Sequence, residues 1–176
     1  RSPFLSFPYV VQQKKTKARF IAFENKIQKY KYLIQQFDNA DNQIYCWCYF
    51  FEATRDEMLE LCEVTGTSAK LVTNGKLQVD GINLLDARSM NPQLIDHFDQ
   101  FVMIESHPMM SITQSTLDQA SALTLKELIF YTSLDEPVME IFGSERLQKL
   151  LKQMGLKEAE PMEHAMINKS IEKAQE

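Results

Sequence analysis

Apolar residues recur along this chain with two different spacings. Between residues 15 and 37 they stand three or four positions apart, which is typical of one face of a helix; they are Phe20, Phe23, Ile27, Tyr30, Ile34 and Phe37. Residues 43–51, QIYCWCYFF, are instead almost continuously apolar, as in a strand buried on both faces. We therefore predict a helix over 15–37, a polar turn over 38–42 and a buried strand over 43–51.

The remaining pattern predicts further alternation of strands and helices. A helix over 54–65 ends at Gly66, a glycine placed where helices commonly stop. Strands are predicted over 69–73, 82–87, 100–105 and 125–132, a turn at Asn74-Gly75 and a short helix over 92–98, while the polar stretch 111–122 is left open between helix and irregular structure. Two helices follow, the first capped by Ser144 and the second starting near Met162. Such alternation indicates βαβ units and a mostly parallel sheet.

Composition narrows the class of protein. A chain of 176 residues with 44% hydrophobic and 10% aromatic content is long and apolar enough for one folded domain. Its net charge of −5 provides no general positive field for nucleic acid or anionic membrane. The basic cluster at Lys14, Lys15, Lys17 and Arg19 is interpreted as the solvated start of a helix. Because the chain begins at Arg1 and stops at Glu176 inside a helical pattern, we expect a fragment of a longer protein.

The three cysteines do not suggest a disulfide framework or a metal site. An odd number of cysteines in a chain of this length is unlike a disulfide-stabilised fold. Cys46 and Cys48 share one side of the predicted strand, and no CxxC pair or paired histidines accompany them or Cys62. We therefore predict buried thiols, no metal ion and, more weakly, a reducing compartment.

The segment from Leu128 to Gln175 carries a family resemblance. Its runs YTSLDE (131–136), IFGSER (141–146), EPMEH (160–164) and SIEKAQ (170–175) closely resemble the SecA preprotein translocase ATPases, where the second motor domain ends and a scaffold helix begins. The resemblance implies an α/β, RecA-like domain of the helicase C-terminal type. It also implies the division 1–13 extended lead-in, 14–142 RecA-like domain and 143–176 helical extension.

The resemblance continues upstream in a weaker form and implies candidate nucleotide-binding residues. FEAT (51–54) stands at the start of the family's helix, and LVTNGK (71–76) stands where the family has a strand end. Glu105 and His107 match the family's Thr-Glu-Arg-His, and Arg88 lies near the place of its Gly-Arg-Gly-Thr-Asp. Structural roles are the alternative for these residues: a surface-loop arginine for Arg88 and a strand-end histidine for His107.

The family's phosphate-sensing arginines and glycines have no clear counterpart here. Residues 111–125 contain no Arg, Lys or Gly, and none of the five glycines belongs to a phosphate-binding loop. An arginine that stabilises a transferring phosphoryl group is worth roughly 10³–10⁵ in rate, and glycines let the backbone approach phosphates. We therefore predict no catalytic residue in this chain.

One short segment is a candidate for binding a protein partner. Pro108, Met109 and Met110 follow a predicted strand, and loops at strand ends usually present ligand sites in α/β sheets. Methionine side chains repack easily and suit adaptable binding surfaces. Core filling is the alternative interpretation.

These observations predict a degenerate, non-catalytic SecA-like second motor domain. It would be a structural, regulatory or protein-binding part of a larger protein related to translocation, although the family itself is an ATPase. Two alternatives stay open: a stand-alone protein-interaction module that reuses the fold outside export, and a working but divergent half of an ATPase site. No cofactor is expected, and ATP or ADP only if the parent has an N-terminal motor domain.

The expected partners are other domains of the parent or a separate protein, and not nucleic acid. Membrane association is expected to be peripheral at most and to occur through the parent. The expected location is cytoplasmic or membrane-peripheral, with a secreted form left open.

Overall fold

In a computed structural model, residues 16–40, 42–73, 75–95, 97–122 and 127–136 are described, and they alternate between strands and helices. Asn25 caps the first helix by accepting a hydrogen bond from the backbone N–H of Gln28. The elements are β1 (Lys17–Phe23), α1 (Lys26–Asp38), β2 (Tyr45–Tyr49), α2 (Glu52–Thr65), β3 (Ala69–Leu71), β4 (Ile82–Asp86), α3 (Pro92–Ile95), β5 (Gln100–Met103), α4 (Met110–Ala122) and β6 (Glu127–Ser133).

The six strands form one sheet in the order β1-β6-β5-β2-β4-β3, and every neighbouring pair is parallel. Parallel neighbours require crossover connections, which the helices supply. The predicted α/β class, with a mostly parallel sheet flanked by helices, is confirmed, while the RecA-like assignment stays a prediction. The predicted helical extension after residue 143 lies outside the described residues.

Helices cover both faces of the sheet, so the central strands are buried on both sides. All five residues of β2 are buried. On one face Trp47 packs in a core with Leu33 of α1 and Met58 of α2. On the other face Cys48 packs in a core with Ala120 of α4. The prediction of a fully buried strand and of buried thiols at Cys46, Cys48 and Cys62 is confirmed.

The predicted helix over 15–37 is wrong in its first third. Residues Lys17–Phe23 form β1, which pairs along its whole length with β6. Phe20 and Ala22 enter one core cluster, while Ile21 and Phe23 enter the other. A strand buried on both faces is apolar at nearly every position, so its residues also match a helical spacing by coincidence.

The basic cluster is consequently not the start of a helix. Lys17 and Arg19 lie on β1, and Arg19 is 3.9 Å from the carboxylate of Glu127 on β6. Lys14 and Lys15 lie outside the described residues. The helix itself begins later, at Lys26.

The other predicted elements are present with shifted ends. The strand predicted over 43–51 spans Tyr45–Tyr49, and the helix predicted from 54 begins at Glu52 and ends before Gly66, whose φ is +70°. The strand predicted over 125–132 is β6, Glu127–Ser133. The open stretch 111–122 is helical, as α4.

Four short elements are shorter than predicted. The strand expected over 69–73 has three residues, and an isolated antiparallel bridge between Thr73 and Lys76 then closes the expected turn, in which Gly75 has φ +70°. The helix expected over 92–98 ends at Ile95. The strands expected over 82–87 and 100–105 end at Asp86 and Met103. The lead-in over 1–13 and the helices from residue 144 onward lie outside the described residues, so the domain boundaries stay predictions.

Candidate functional site at the carboxyl edge of the sheet

A cavity of about 350 Å³ lies where strands of the parallel sheet end. Ligands of α/β proteins bind at this edge, because the loops after the strands meet there. The cavity is lined by Lys26, Lys29 and Tyr30 from α1, by Phe51, Ala53, Thr54 and Glu57 around the start of α2, by Glu105, Ser106 and Pro108 after β5, and by Glu136 after β6.

The carboxylate of Glu105 caps helix α2. One of its oxygens accepts hydrogen bonds from the backbone N–H groups of Phe50 and Phe51 at 2.8 and 3.1 Å, and the other accepts from Thr54 Oγ1 at 2.6 Å. Phe51 stands at the N-cap position, and Glu105 from another part of the chain satisfies its backbone N–H, one of the donors that a helix start leaves without an intrahelical partner. Burial raises the pKa of Glu105, although these hydrogen bonds act in the opposite direction.

Lys29 and Glu136 form a buried ion pair beside this cap. Their side chains are 1% and 6% exposed. The Lys29 ammonium also donates to the carbonyl oxygen of Ile104 at 2.8 Å, and Glu136 accepts from Thr132 Oγ1 at 2.9 Å and from the Ser133 N–H at 3.0 Å. A buried charge is tolerated when it is paired and hydrogen-bonded in this way. The ammonium is therefore committed to groups of the protein itself.

Glu57 provides a third carboxylate, at the open side of the cavity. The hydroxyl of Tyr30 donates to one of its oxygens at 2.5 Å, and Lys26 Nζ lies 3.4 Å from the other. Burial, followed by the contact with Glu57, raises the pKa of Tyr30. The side chains of Lys26 and Glu57 are 37% and 43% exposed, so water screens this ion pair.

Ser106 lines the same cavity with an unsatisfied hydroxyl. The residue is 3% exposed, and its Oγ has no hydrogen-bond partner among the described residues. Its backbone N–H donates to Glu136 at 3.4 Å. Buried polar groups are nearly always paired, so an unpaired hydroxyl in the lining of a cavity indicates a place for a polar ligand group.

His107, Pro108 and Met109 form the loop that follows β5 and Ser106. The imidazole stacks on the ring of Phe51 with centroids 5.2 Å apart, and its Nδ1 accepts from the backbone N–H of Met109 at 2.9 Å. Burial lowers the pKa of His107, which favours the neutral ring. Pro108 lines the cavity, Met109 is 56% exposed, and Met110 begins α4.

Arg88 lies apart from this group. It is the middle residue of a short 3₁₀ turn after β4, where its guanidinium donates to both oxygens of Asp86 at 3.1 and 2.7 Å. Its side chain is 78% exposed, and it is not among the residues that line the cavity. The hydrogen bonds from Arg88 lower the pKa of Asp86.

The structure thus brings together two of the three predicted nucleotide-binding residues, Glu105 and His107, and leaves Arg88 elsewhere. It places the three predicted partner-binding residues in the loop beside the cavity and at the start of α4. Whether any of them contacts nucleotide or a partner stays a prediction. Among the described residues, no group of three or more His, Cys, Asp or Glu could hold a metal ion. In this part of the chain no helix is long and apolar enough to span a bilayer.

Sequence reasoning missed several residues of the cavity. Thr54 and Glu136 lay inside segments that resemble the family, but their chemistry was not singled out. Glu57 on α2 gave no sign of a site either, because a carboxylate on a helix is ordinarily solvated. Lys29 gave no signal, because a lysine on a predicted amphipathic helix is normally exposed.

Comparisons with known proteins find similarity over only part of the chain. No family model matches. The protein translocase subunit SecA of Acidithiobacillus ferrooxidans (strain ATCC 53993 / BNL-5-31) is 56% identical over 46 residues, which is 26% of this chain and 5% of that protein. SecA of Christiangramia forsetii is also 56% identical over 46 residues, 26% of this chain and 4% of that protein. SecA of Pelagibacter ubique is 48% identical over 48 residues, 27% of this chain and 6% of that protein.

The predicted resemblance to SecA is therefore confirmed for about a quarter of the chain, and the chain matches about a twentieth of the length of these relatives. Among solved structures, the C-terminal domain of a possible DNA helicase from Lactobacillus plantarum WCFS1 is similar, with a TM-score of 0.48, 9% identity and coverage of 70% of this chain and 78% of that one. The C-terminal part of the Fun30 ATPase domain has a TM-score of 0.44, 11% identity and coverage of 86% and 55%.

Proposed function

We propose that this chain is a SecA-related α/β domain that does not complete an ATPase site, and that serves as a structural, regulatory or protein-binding part of a larger protein connected with protein translocation. The local similarity to SecA motivates the connection with translocation. The occupied start of α2 is the observation that carries the non-catalytic part of the proposal.

Helix N-termini bind phosphate through free backbone N–H groups and a positive dipole end. At the start of α2 the N–H groups of Phe50 and Phe51 already donate to Glu105. A phosphate that approached this point would have to displace a buried carboxylate of the protein and would meet its negative charge. Two of the N–H donors beside the start of α2 are therefore already taken by a carboxylate, which disfavours a phosphate at this point.

The charges around the cavity lead to the same proposal. Its lining contains three carboxylates, from Glu57, Glu105 and Glu136, and two ammonium groups, from Lys26 and Lys29. The ammonium of Lys29 is already paired with Glu136. Catalysis of phosphoryl transfer needs cations that face the phosphates. The excess of carboxylates in the lining therefore disfavours binding of a nucleoside triphosphate.

Apolar side chains at the same edge favour a protein-binding role. Ile27, Phe51, Met109 and Ile112 stand at the starts of α1, α2 and α4, and they are 66%, 41%, 56% and 37% exposed. In a parallel sheet the helices that follow the strands begin at one edge, so these residues share an end of the molecule. Exposed apolar residues grouped in this way are typical of interaction surfaces.

Nucleotide turnover tests the non-catalytic proposal. We expect Arg88→Ala to leave the rate of ATP turnover by the full-length protein unchanged. The reason is that Arg88 is bound to Asp86 outside the cavity. Lys70→Ala on β3 is a matched control, since Lys70 is also an exposed cation at the end of the sheet. Turnover that falls by roughly 10³-fold in Arg88→Ala, but not in Lys70→Ala, would overturn the proposal.

Site-specific photo-cross-linking distinguishes a domain that packs within a larger protein from a stand-alone interaction module. A photoreactive residue at position 109 of the full-length protein should form cross-links within the same polypeptide if this domain packs on other domains of its parent. The same residue at position 64 is the control, because Val64 is 80% exposed near the other end of α2. Cross-links from position 109 exclusively to a separate protein would favour the stand-alone interaction module instead.

A further inference from the structure

The size and lining of the cavity indicate a ligand smaller than a nucleotide. Its volume of about 350 Å³ is near the lower end of the roughly 300–1,000 Å³ found for ligand pockets. Tyr30, Phe51 and Pro108 contribute apolar side chains, and most of the exposed surface of the lining is apolar. Such a cavity suits one long side chain with a polar end.

The lining carries a net negative charge, because it has three carboxylates and two ammonium groups. Lys29 neutralises Glu136, and the carboxylate of Glu105 is held by the donors at the start of α2. Glu57 remains at the open side, paired with Lys26 in a contact of 3.4 Å in which both side chains are more than a third exposed. Water weakens a pair of this kind, so an incoming cation can compete with Lys26 for the carboxylate.

The hydroxyl of Ser106 supplies an acceptor deeper in the lining. It is buried and has no partner among the residues that the structure describes. A serine oxygen can accept a hydrogen bond from an ammonium or guanidinium N–H group, both of which are donors only. Lys29 Nζ already lies 5.4 Å from the centroid of the Tyr30 ring, and the face of Phe51 away from His107 adds a further surface that attracts cations.

We infer that this cavity binds a lysine or arginine side chain presented by a partner protein, with the alkyl stem against Tyr30, Phe51 and Pro108 and the cation directed to Glu57 and the Ser106 hydroxyl. The inference rests on the proposed protein-binding function and names the chemistry of its site. An anionic ligand would meet three carboxylates against two ammonium groups that are already paired, and an apolar one would leave the Ser106 hydroxyl unpaired.

Amide chemical shifts test this assignment. The isotopically labelled chain is titrated with N-acetyl-arginine amide, with N-acetyl-lysine amide and with N-acetyl-citrulline amide, which has nearly the shape of arginine without its charge. We expect saturable shifts at residues 51–57 and 105–108 with the two cationic probes, and affinity for citrulline that is weaker by about tenfold or more. Equal affinity for citrulline and arginine would overturn the inference.

Two substitutions locate the binding groups. Glu57→Gln keeps an acceptor for the Tyr30 hydroxyl but removes the charge, and Ser106→Ala removes the buried hydroxyl. Each should weaken binding of N-acetyl-arginine amide about tenfold, whereas Glu60→Gln, on the same helix outside the cavity, should leave it unchanged. If Ser106→Ala fails to fold, Glu57→Gln decides by itself. Unchanged affinity in Glu57→Gln would contradict the assignment.

Titration with phosphate compounds distinguishes failure of this inference from failure of the non-catalytic proposal. Inorganic phosphate and ATP are titrated under the same conditions, and we expect neither to shift the amides at 51–57 and 105–108. Saturable shifts there with ATP would overturn both this inference and the non-catalytic proposal. Citrulline binding as strongly as arginine, without any response to ATP, would overturn the cation assignment and leave the non-catalytic proposal intact.

Discussion

At the residue scale, the most informative feature is a carboxylate that completes a distant helix. Glu105 follows β5 in sequence, yet it accepts hydrogen bonds from Phe50, Phe51 and Thr54 at the start of α2. The resemblance to SecA had marked Glu105 as a nucleotide-binding candidate. Its observed hydrogen bonds give it a structural role at the start of α2. The sequence pattern did not reveal this role, because partners 51 to 55 positions apart leave no local signal.

The burial of Glu105 predicts a particular dependence of stability on pH. Its pKa is raised from an ordinary value of 4.5, so just above pH 4.5 the folded state binds more protons at this carboxyl than the unfolded state does. The contribution of Glu105 to the free energy of unfolding should therefore be largest at acid pH and should decline as pH rises through the raised pKa. Glu105→Gln removes this dependence while it keeps an acceptor for the backbone amides.

Urea denaturation between about pH 4 and pH 7 measures this effect as the difference in unfolding free energy between wild type and Glu105→Gln. We expect the stability of the wild type relative to Glu105→Gln to fall as pH rises. Glu60→Gln, at an exposed position of α2, should show no comparable trend. A wild-type advantage that grows with pH would contradict the raised pKa.

At the element scale, the ends of α2 show what sequence signals can and cannot specify. Gly66 ends the helix with φ +70°, and the N–H groups of Gly66 and Thr67 bond to the carbonyls of Glu63 and Cys62. Glycine adopts this left-handed conformation without a steric penalty, which explains why its position predicted the helix end. The other end depends on Glu105, so it was placed two residues too late.

Replacing Gly66 with Ala should destabilise the domain by roughly 1 kcal/mol, since a Cβ in the left-handed region costs about 1–2 kcal/mol. The surrounding space is open, so backbone strain and not a clash is the cause. Urea denaturation followed by the fluorescence of the single tryptophan, the buried Trp47, measures the change. Val64→Ala, at an 80% exposed position of α2, is the control and should shift stability little. A Gly66→Ala variant as stable as this control would contradict the conformational argument.

The misassigned first element has a different cause. The residues of β1 match helical spacing only because nearly every position from Phe20 to Phe23 is apolar. Whether such a run is a strand depends on a partner strand, here β6, which lies about 110 positions away in sequence. Local pattern could not supply that partner, whereas β2 was predicted correctly because its apolar run is bounded by a polar turn.

At the scale of the whole molecule, two layers of helices shield the sheet and its thiols. Cys46 and Cys48 lie on the central strand β2, and Cys62 faces the core from α2. Burial raises the pKa of all three thiols, that of Cys62 to about 11. Thiolates are the reactive form, so both access and ionisation are suppressed in the folded state.

We therefore expect the native chain to react with an aromatic disulfide reagent at least roughly 10³-fold more slowly than the chain in urea, given a typical unfolding free energy of about 5 kcal/mol or more. All three cysteines should be modified after unfolding, as counted by intact mass. Val64→Cys, at an exposed site of α2, should add one thiol that reacts at once in the native state. Rapid modification of Cys46 or Cys48 in the folded protein would contradict the described burial.

The sequence by itself determined the α/β class, the buried central strand, the end of α2 at Gly66 and a local resemblance to SecA, because each of these depends on neighbouring residues or on an ordered run of identities. Tertiary structure decided that Lys17–Phe23 is a strand, that Glu105 caps α2, that Lys29 pairs with Glu136 and that Arg88 stands outside the cavity. The first three outcomes depend on contacts between distant parts of the chain, and the fourth depends on where the sheet places the end of β4. Hydrogen-bond pairing and burial of charge are settled when the sheet assembles, and local periodicity carries no record of them.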